Sequence, residues 1–121
     1  MNKVNIKIWG RKFKLLVNYK IVEKDTMTKM QQESLDLFMK NTNLINEVKK
    51  NVDEYVINHV ASNISEVDNI FKYVKPKCVY IPNEKNVFAI MCNYKFDMEH
   101  GMAIVFENGK FKEIGAEDIV L

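Results

Sequence analysis

The densest group of chemically capable side chains in the sequence is Asp97-Met98-Glu99-His100-Gly101. Two carboxylates and an imidazole so close together could act as an acid–base set or supply ligands to a metal, because histidine titrates near neutrality and binds metals through its ring nitrogens. The spacing works against a metal. A structural zinc site takes four protein ligands and a catalytic one takes three, and the adjacent Glu99 and His100 reach one ion only if the loop curls tightly. The structural alternative is a polar loop in which Asp97 caps the turn and Gly101 supplies an unusual backbone angle. That alternative is favoured, so no cofactor is expected, and Asp97, Glu99 and His100 are the set on which a metal would be tested.

Other nucleophile and base combinations are weaker. His59 falls on the apolar stripe of a helical segment, where a histidine is ordinarily a boundary residue with one hydrogen bond. Cys92 with His100 or His59 could be imagined as a thiol–imidazole pair, but no local signature surrounds Cys92 or Cys78, and both sit in apolar strand-like segments. Free buried thiols are expected. The four glycines do not form a phosphate-binding loop.

Charge marks a third candidate. Met1 to Val22 holds six basic residues (Lys3, Lys7, Arg11, Lys12, Lys14 and Lys20) and no acid, whereas Asp97 to Leu121 holds six acids against Lys110 and Lys112. A docking surface for a protein partner could therefore be the basic hairpin, with Trp9 and Arg11 at its tip, or the acidic loop with Asp97, Glu99 and Asp118. Such asymmetry speeds encounter and selects partners. Arg11 is the only arginine, which is a poor supply of the planar forks that read bases, so specific nucleic-acid recognition is not expected.

The elements that position these residues follow from periodicity. Val4, Ile6 and Ile8 alternate with polar residues, as do Phe13, Leu15, Val17, Tyr19 and Ile21, so two half-buried strands are expected. A turn at Gly10-Arg11 would pair Trp9 with Lys12, Ile8 with Phe13, Ile6 with Leu15 and Val4 with Val17. Thr28-x-x-Gln31 is a capping box for a helix carrying Met30, Leu35, Leu37, Phe38 and Met39, interrupted at Asn41-Thr42-Asn43. Leu44, Ile45, Val48, Val52, Tyr55, Val56, His59 and Val60 recur at three and four, predicting an amphipathic helix of about five turns. A short third helix is expected from Ser65 through Val74, stopped by Pro76. Lys77 to Ile81 and Val87 to Tyr94 read as strands, the second apolar on both faces and so central. Met102 to Glu107 and Lys110 to Ile114 form a hairpin about Asn108-Gly109. A plain two-residue turn would there set Ile104 against Glu113, which a bulge would reconcile.

The run from Cys92 to Phe106, continuing through Asn108-Gly109 to Gly115-x-x-Asp118, resembles a family of small bacterial domains of unknown function. Their shared feature is an aromatic-Asp-x-Glu-His-Gly signature, then a hydrophobic strand, a turn and a terminal Gly-x-x-Asp. Trp9-Gly10-Arg11 and a glutamine at Gln31 or Gln32 are similar as well. Phe96 stands where those domains often carry tryptophan. The resemblance implies a setting near bacterial toxin–immunity loci and brings no established activity.

Together these readings give one α+β domain over residues 1–121. It would be an antiparallel sheet, an N-terminal hairpin plus a C-terminal meander, with two to three helices packed on one face. The expected function is a non-catalytic protein-binding module of immunity or accessory type. The alternatives are a metal-dependent or acid–base enzyme on Asp97-x-Glu99-His100, and a structural domain that oligomerises, with a homodimer left open. The alternating polar and apolar start from Met1 lacks the apolar run of an export signal, and no stretch approaches the roughly 20 apolar residues of a membrane helix. The cytoplasm is the expected location.

Overall fold

The computed structural model describes residues 3–59 and 63–121. Two strands, β1 (Lys3–Ile8) and β2 (Arg11–Tyr19), are followed by helices α1 (Lys29–Lys40), α2 (Leu44–Glu47) and α3 (Lys49–Ile57). After a 3-10 turn at Ile70–Lys72 come β3 (Val74–Ile81), β4 (Val87–Tyr94), β5 (Met102–Glu107) and β6 (Lys110–Gly115), and a second 3-10 turn at Glu117–Ile119. All six strands make one sheet in sequence order. The hairpin and the meander are as expected, but they meet through a parallel seam, β2 beside β3, with Leu16 opposite Cys78 and Tyr19 opposite Ile81. The sheet is therefore mostly antiparallel. Parallel neighbours need a long crossover, and α1 to α3 lie within it.

The hairpin register differs from the expected one. Ile8 pairs with Arg11, Ile6 with Phe13 and Val4 with Leu15, so the turn is Trp9-Gly10, with φ of +49° and +89°. Two consecutive left-handed residues make the turn that matches strand twist. Because the offset is two residues, every side chain keeps its expected face. Trp9 tolerates its strained angle because both its N–H groups are engaged: the backbone N–H donates to Asn46 Oδ1 at 2.6 Å and the indole Nε1–H donates to the Ile45 carbonyl at 3.0 Å.

That contact explains a second departure. The single long helix is two pieces broken at Val48, whose φ and ψ are −107° and 12°. The Ile45 carbonyl is shared between the Trp9 indole and the Val48 N–H, and Asn46 also donates to the Lys7 carbonyl at 2.9 Å. The hairpin tip thus takes up groups that would continue the helix. The buried stripe still includes Ile45, Val48, Val52 and Val56; Val60 lies outside the described residues.

The third helix is replaced by the 3-10 turn, capped by the Asn69 side chain, which accepts from the Phe71 N–H at 3.1 Å. Val74 already belongs to β3, and Pro76 sits inside that strand opposite Cys92, where the register shifts between Pro76 and Cys78. A residue without an N–H is accommodated at such an irregularity. At the other hairpin the expected bulge is present: Phe106 pairs with Phe111, but Val105 with Glu113 and Ile104 with Ile114.

The sheet carries apolar packing on both sides. One cluster joins Ile6, Ile8, Leu15, Val17, Ile90, Tyr94, Ile104 and Phe106 to Leu35, Phe38, Ile45, Val52 and Val56 from the helices. The other joins Cys78, Val87, Ala89, Met91, Ala103 and Val105 to Val120, with Leu16 and Tyr80 packed against it. Cys78 and Cys92 are free and buried, and they belong to opposite clusters, so the sheet itself separates them.

The α1 capping box is complete: the Gln31 N–H donates to Thr28 Oγ1 and the Thr28 N–H to Gln31 Oε1. Met30 and Met39, expected on the apolar face, are exposed, while Gln31 and Ser34 are fully buried. Gln31 Nε2 also donates to the Lys20 carbonyl at 2.7 Å. Gln31→Ala removes the partner of that carbonyl and of the Thr28 N–H, both in partly buried bonds, and we expect a loss of about 1–2 kcal/mol in urea unfolding. Gln31→Glu, which accepts but cannot donate to Lys20, should not restore it.

Candidate functional site

The Asp97–Gly101 loop joins β4 to β5, and Asp97 organises it. Its Oδ1 accepts from the His100 backbone N–H at 3.0 Å, and its carboxylate oxygens lie 3.0 and 3.2 Å from His100 Nδ1. The Asp97 carbonyl accepts from the Gly101 N–H at 2.9 Å. Gly101 has φ +63°. A Cβ there would stand 2.8 Å from Glu117 Cδ and 2.9 Å from the Cys92 carbonyl oxygen. Glu117 returns the contact, its N–H donating to the His100 carbonyl at 3.0 Å. Lys77 Nζ lies 2.9 Å from Glu117 Oε2. The oxygen is thus paired by charge, with no directed hydrogen bond to it among the described residues.

The loop and the Gly115–Asp118 corner therefore clasp one another, with Met98, Glu99 and His100 left exposed. Hydrogen bonding to Asp97 is the largest cause raising the His100 pKa above its ordinary value; the charges of Asp97, Glu99 and Asp118 also raise it. The His100 backbone N–H is the largest cause holding the Asp97 pKa below its ordinary value. Asp97, Glu99, His100, Gly101 and Asp118 are thus brought to one neighbourhood. Among the described residues, no group of three or more His, Cys, Asp or Glu side chains could hold a metal ion.

An aromatic cluster backs the loop. Phe96 is stacked between His59 and Tyr73, at 5.8 and 5.6 Å between ring centroids, and Tyr94 meets His59 and Phe96 edge-on. Burial is the main cause raising the Tyr94 pKa, and among the described residues its hydroxyl has no hydrogen-bond partner. His59 is a packing residue in this cluster. Burial likewise pushes the Cys92 thiol up, away from the thiolate a nucleophile needs.

Trp9 and Arg11 are elsewhere. Trp9 docks on the α2 backbone, and the Arg11 guanidinium lies 4.2 Å from the centre of the Phe71 ring. Both are engaged within the chain. The hairpin lysines have no ion-pair partner among the described residues. Lys3, Lys7, Lys12 and Lys14 are exposed, Lys7 lies directly opposite Lys12, and a groove of about 500 Å³ is lined by Asn5, Ile6, Lys7, Lys12, Phe13 and Lys14. Their outward placement was readable from alternation. Glu117 was missed as part of the clasp, because nothing local in the sequence shows that it closes on Gly101.

The family described as a domain of unknown function (DUF6985) matches residues 1–121, and the chain belongs to it. No curated protein and no solved structure matches the chain.

Two measurements test the clasp. Gly101→Ala combines an unfavourable φ with contacts under 3 Å, and we expect a loss of about 2–4 kcal/mol. Adding Glu117→Ala should recover only part of it, because the Cys92 carbonyl remains in the way. The Asp97–His100 pair sets a pH window. The contribution of His100 is complete below its unfolded value near 6.5 and is lost as pH rises through its raised folded value. That of Asp97 is present above its unfolded value near 3.8 and is lost as pH falls through its lowered folded value. By NMR titration His100 should have its midpoint above 6.5 and return toward 6.5 in Asp97→Asn; an unmoved midpoint would show the pair to be idle.

Proposed function

We propose that this DUF6985 domain is a non-catalytic protein-binding module that holds an acidic partner against the lysine face of its N-terminal hairpin. The observation that carries the reading is Lys7 directly across from Lys12, flanked by Lys3 and Lys14, along a shallow, open groove. Like charges directly opposite one another cost stability. None of the four has an ion-pair partner among the described residues, whereas Lys49, Lys72, Lys77 and Lys112 each have one. An acidic surface would relieve that repulsion.

The signature loop supports the same reading from another side. Asp97 caps the turn and Gly101 makes room for Glu117, which are structural duties. The acids around it give the domain a negative end that would orient a partner and repel wrong ones. The toxin–immunity setting implied by the Asp97-x-Glu99-His100-Gly101 resemblance makes a bacterial toxin the first partner to try. Two free buried thiols fit a reducing compartment, and we place the protein in the cytoplasm. Among the described residues no helix is long and apolar enough to cross a membrane.

Lys12→Glu separates binding from folding. It turns a repulsive cross-strand pair into an attractive one, so stability should rise by about 0.2–1 kcal/mol. Binding to a candidate toxin at low salt should fall sharply, and more so in Lys7→Glu/Lys12→Glu. Wild-type binding should weaken steeply as ionic strength rises. Equal retention of the partner by wild type and the double variant would reject the hairpin as the docking surface.

A further inference from the structure

The lysine face does not end at the hairpin. Lys14 stands two positions before Leu16, and Leu16 lies opposite Cys78 across the parallel seam. Lys75 lies opposite Asn93, two positions beyond Met91. Leu16, Cys78 and Met91 pack in one cluster, so by the alternation of strand side chains Lys14 and Asn93 emerge on that same side of the sheet, and Lys75 with its partner Asn93. A second groove, of about 310 Å³, opens there between Lys72, Tyr73, Lys75, Asn93, Lys95 and Met98. Lys72 pairs with Asp68 at 3.1 Å. Lys75 and Lys95 have no ion-pair partner among the described residues, and Lys95 Nζ lies 5.7 Å from the centre of the Tyr73 ring.

Resting on the reading of the hairpin as the site for an acidic partner, we propose that the partner presents an extended acidic segment that crosses the sheet from β1 to β4. Its carboxylates would meet Lys7, Lys12 and Lys14 and then Lys75 and Lys95. Three strand spacings separate β1 from β4, about 14 Å, so the segment needs at least about four extended residues. Met98 closes the far end, and its neighbours Asp97 and Glu99 repel a segment that runs further. Nucleic acid fits this face less well. The single arginine is engaged on Phe71, and the rings lining the two grooves are already packed, Phe13 against Phe71 and Tyr73 against Phe96, which makes them poor platforms for stacking bases.

Fluorescence anisotropy with labelled octaglutamate at low salt tests this. Wild type should bind it, and diglutamate should not compete. Lys75→Glu/Lys95→Glu should weaken binding about tenfold, while Lys29→Glu/Lys40→Glu on exposed positions of α1, with the same change of charge, should leave it nearly unaltered. Retained urea unfolding midpoints would show that the variants fold. If Lys7→Glu/Lys12→Glu abolishes binding but Lys75→Glu/Lys95→Glu does not, the crossing segment is wrong and the hairpin reading stands. No binding by wild type would overturn both. Equal losses in the α1 control would overturn the proposal in favour of bulk charge, and displacement by oligothymidylate at lower concentration would do so in favour of nucleic acid.

Discussion

The parallel seam between β2 and β3 is the constraint on which the rest of the molecule depends. Without it the chain would hold a two-stranded hairpin and a four-stranded meander joined by side-chain packing alone, with no backbone ladder to set their register. An isolated hairpin is marginal in water, and the seam makes β2 an interior strand. Closing it requires the chain to return from Tyr19 to Val74 in the same direction. That long connection pays off only because α1, α2 and α3 bury Leu35, Phe38, Ile45, Val52 and Val56 with the strands. Gln31 and Trp9 fasten the crossover near its start and at its middle: Gln31 binds the chain just after β2, and Trp9 binds the α2 backbone from the hairpin tip.

The signature loop and the lysine face differ in how their charges are met. The loop is tied to itself at Asp97, which is engaged by His100, and its glycine admits a second segment. The lysine face is the opposite case, with like charges aligned and no ion-pair partners for Lys3, Lys7, Lys12 and Lys14 among the described residues. A cluster of functional residue types can therefore be chiefly architectural, while a plain run of lysines carries the unbalanced charge.

Much of the fold was legible in the sequence because strand faces and turns are local. Alternation placed Val4, Ile6 and Ile8 correctly even though the turn was one residue off, since a two-residue change of register keeps side chains on their faces. The Val87–Tyr94 strand and the bulge beyond Val105 followed from the same arithmetic. What was illegible depended on distant partners. Val48 breaks a good amphipathic pattern because Trp9 and Asn46 intervene. Ser65 to Asp68 looks like a helix start, but Asn69 provides the cap and Val74 is claimed by Tyr94 across β4. Lys75 and Lys95 join the hairpin lysines only once the seam is known, and Pro76 disguises the strand that carries one of them.

The placement of the two cysteines gives the molecule a pair of internal clocks. Cys78 lies on β3 at the seam, in the cluster that, among the described residues, strands and Val120 supply, and is 7% exposed. Cys92 lies on β4 in the helix-backed cluster and is fully buried. A thiol reagent would meet Cys78 when that thinner cover loosens, but Cys92 only when the helices come away from the sheet. Fraying of one side and loss of the whole would thus leave different chemical traces in the same unaltered chain.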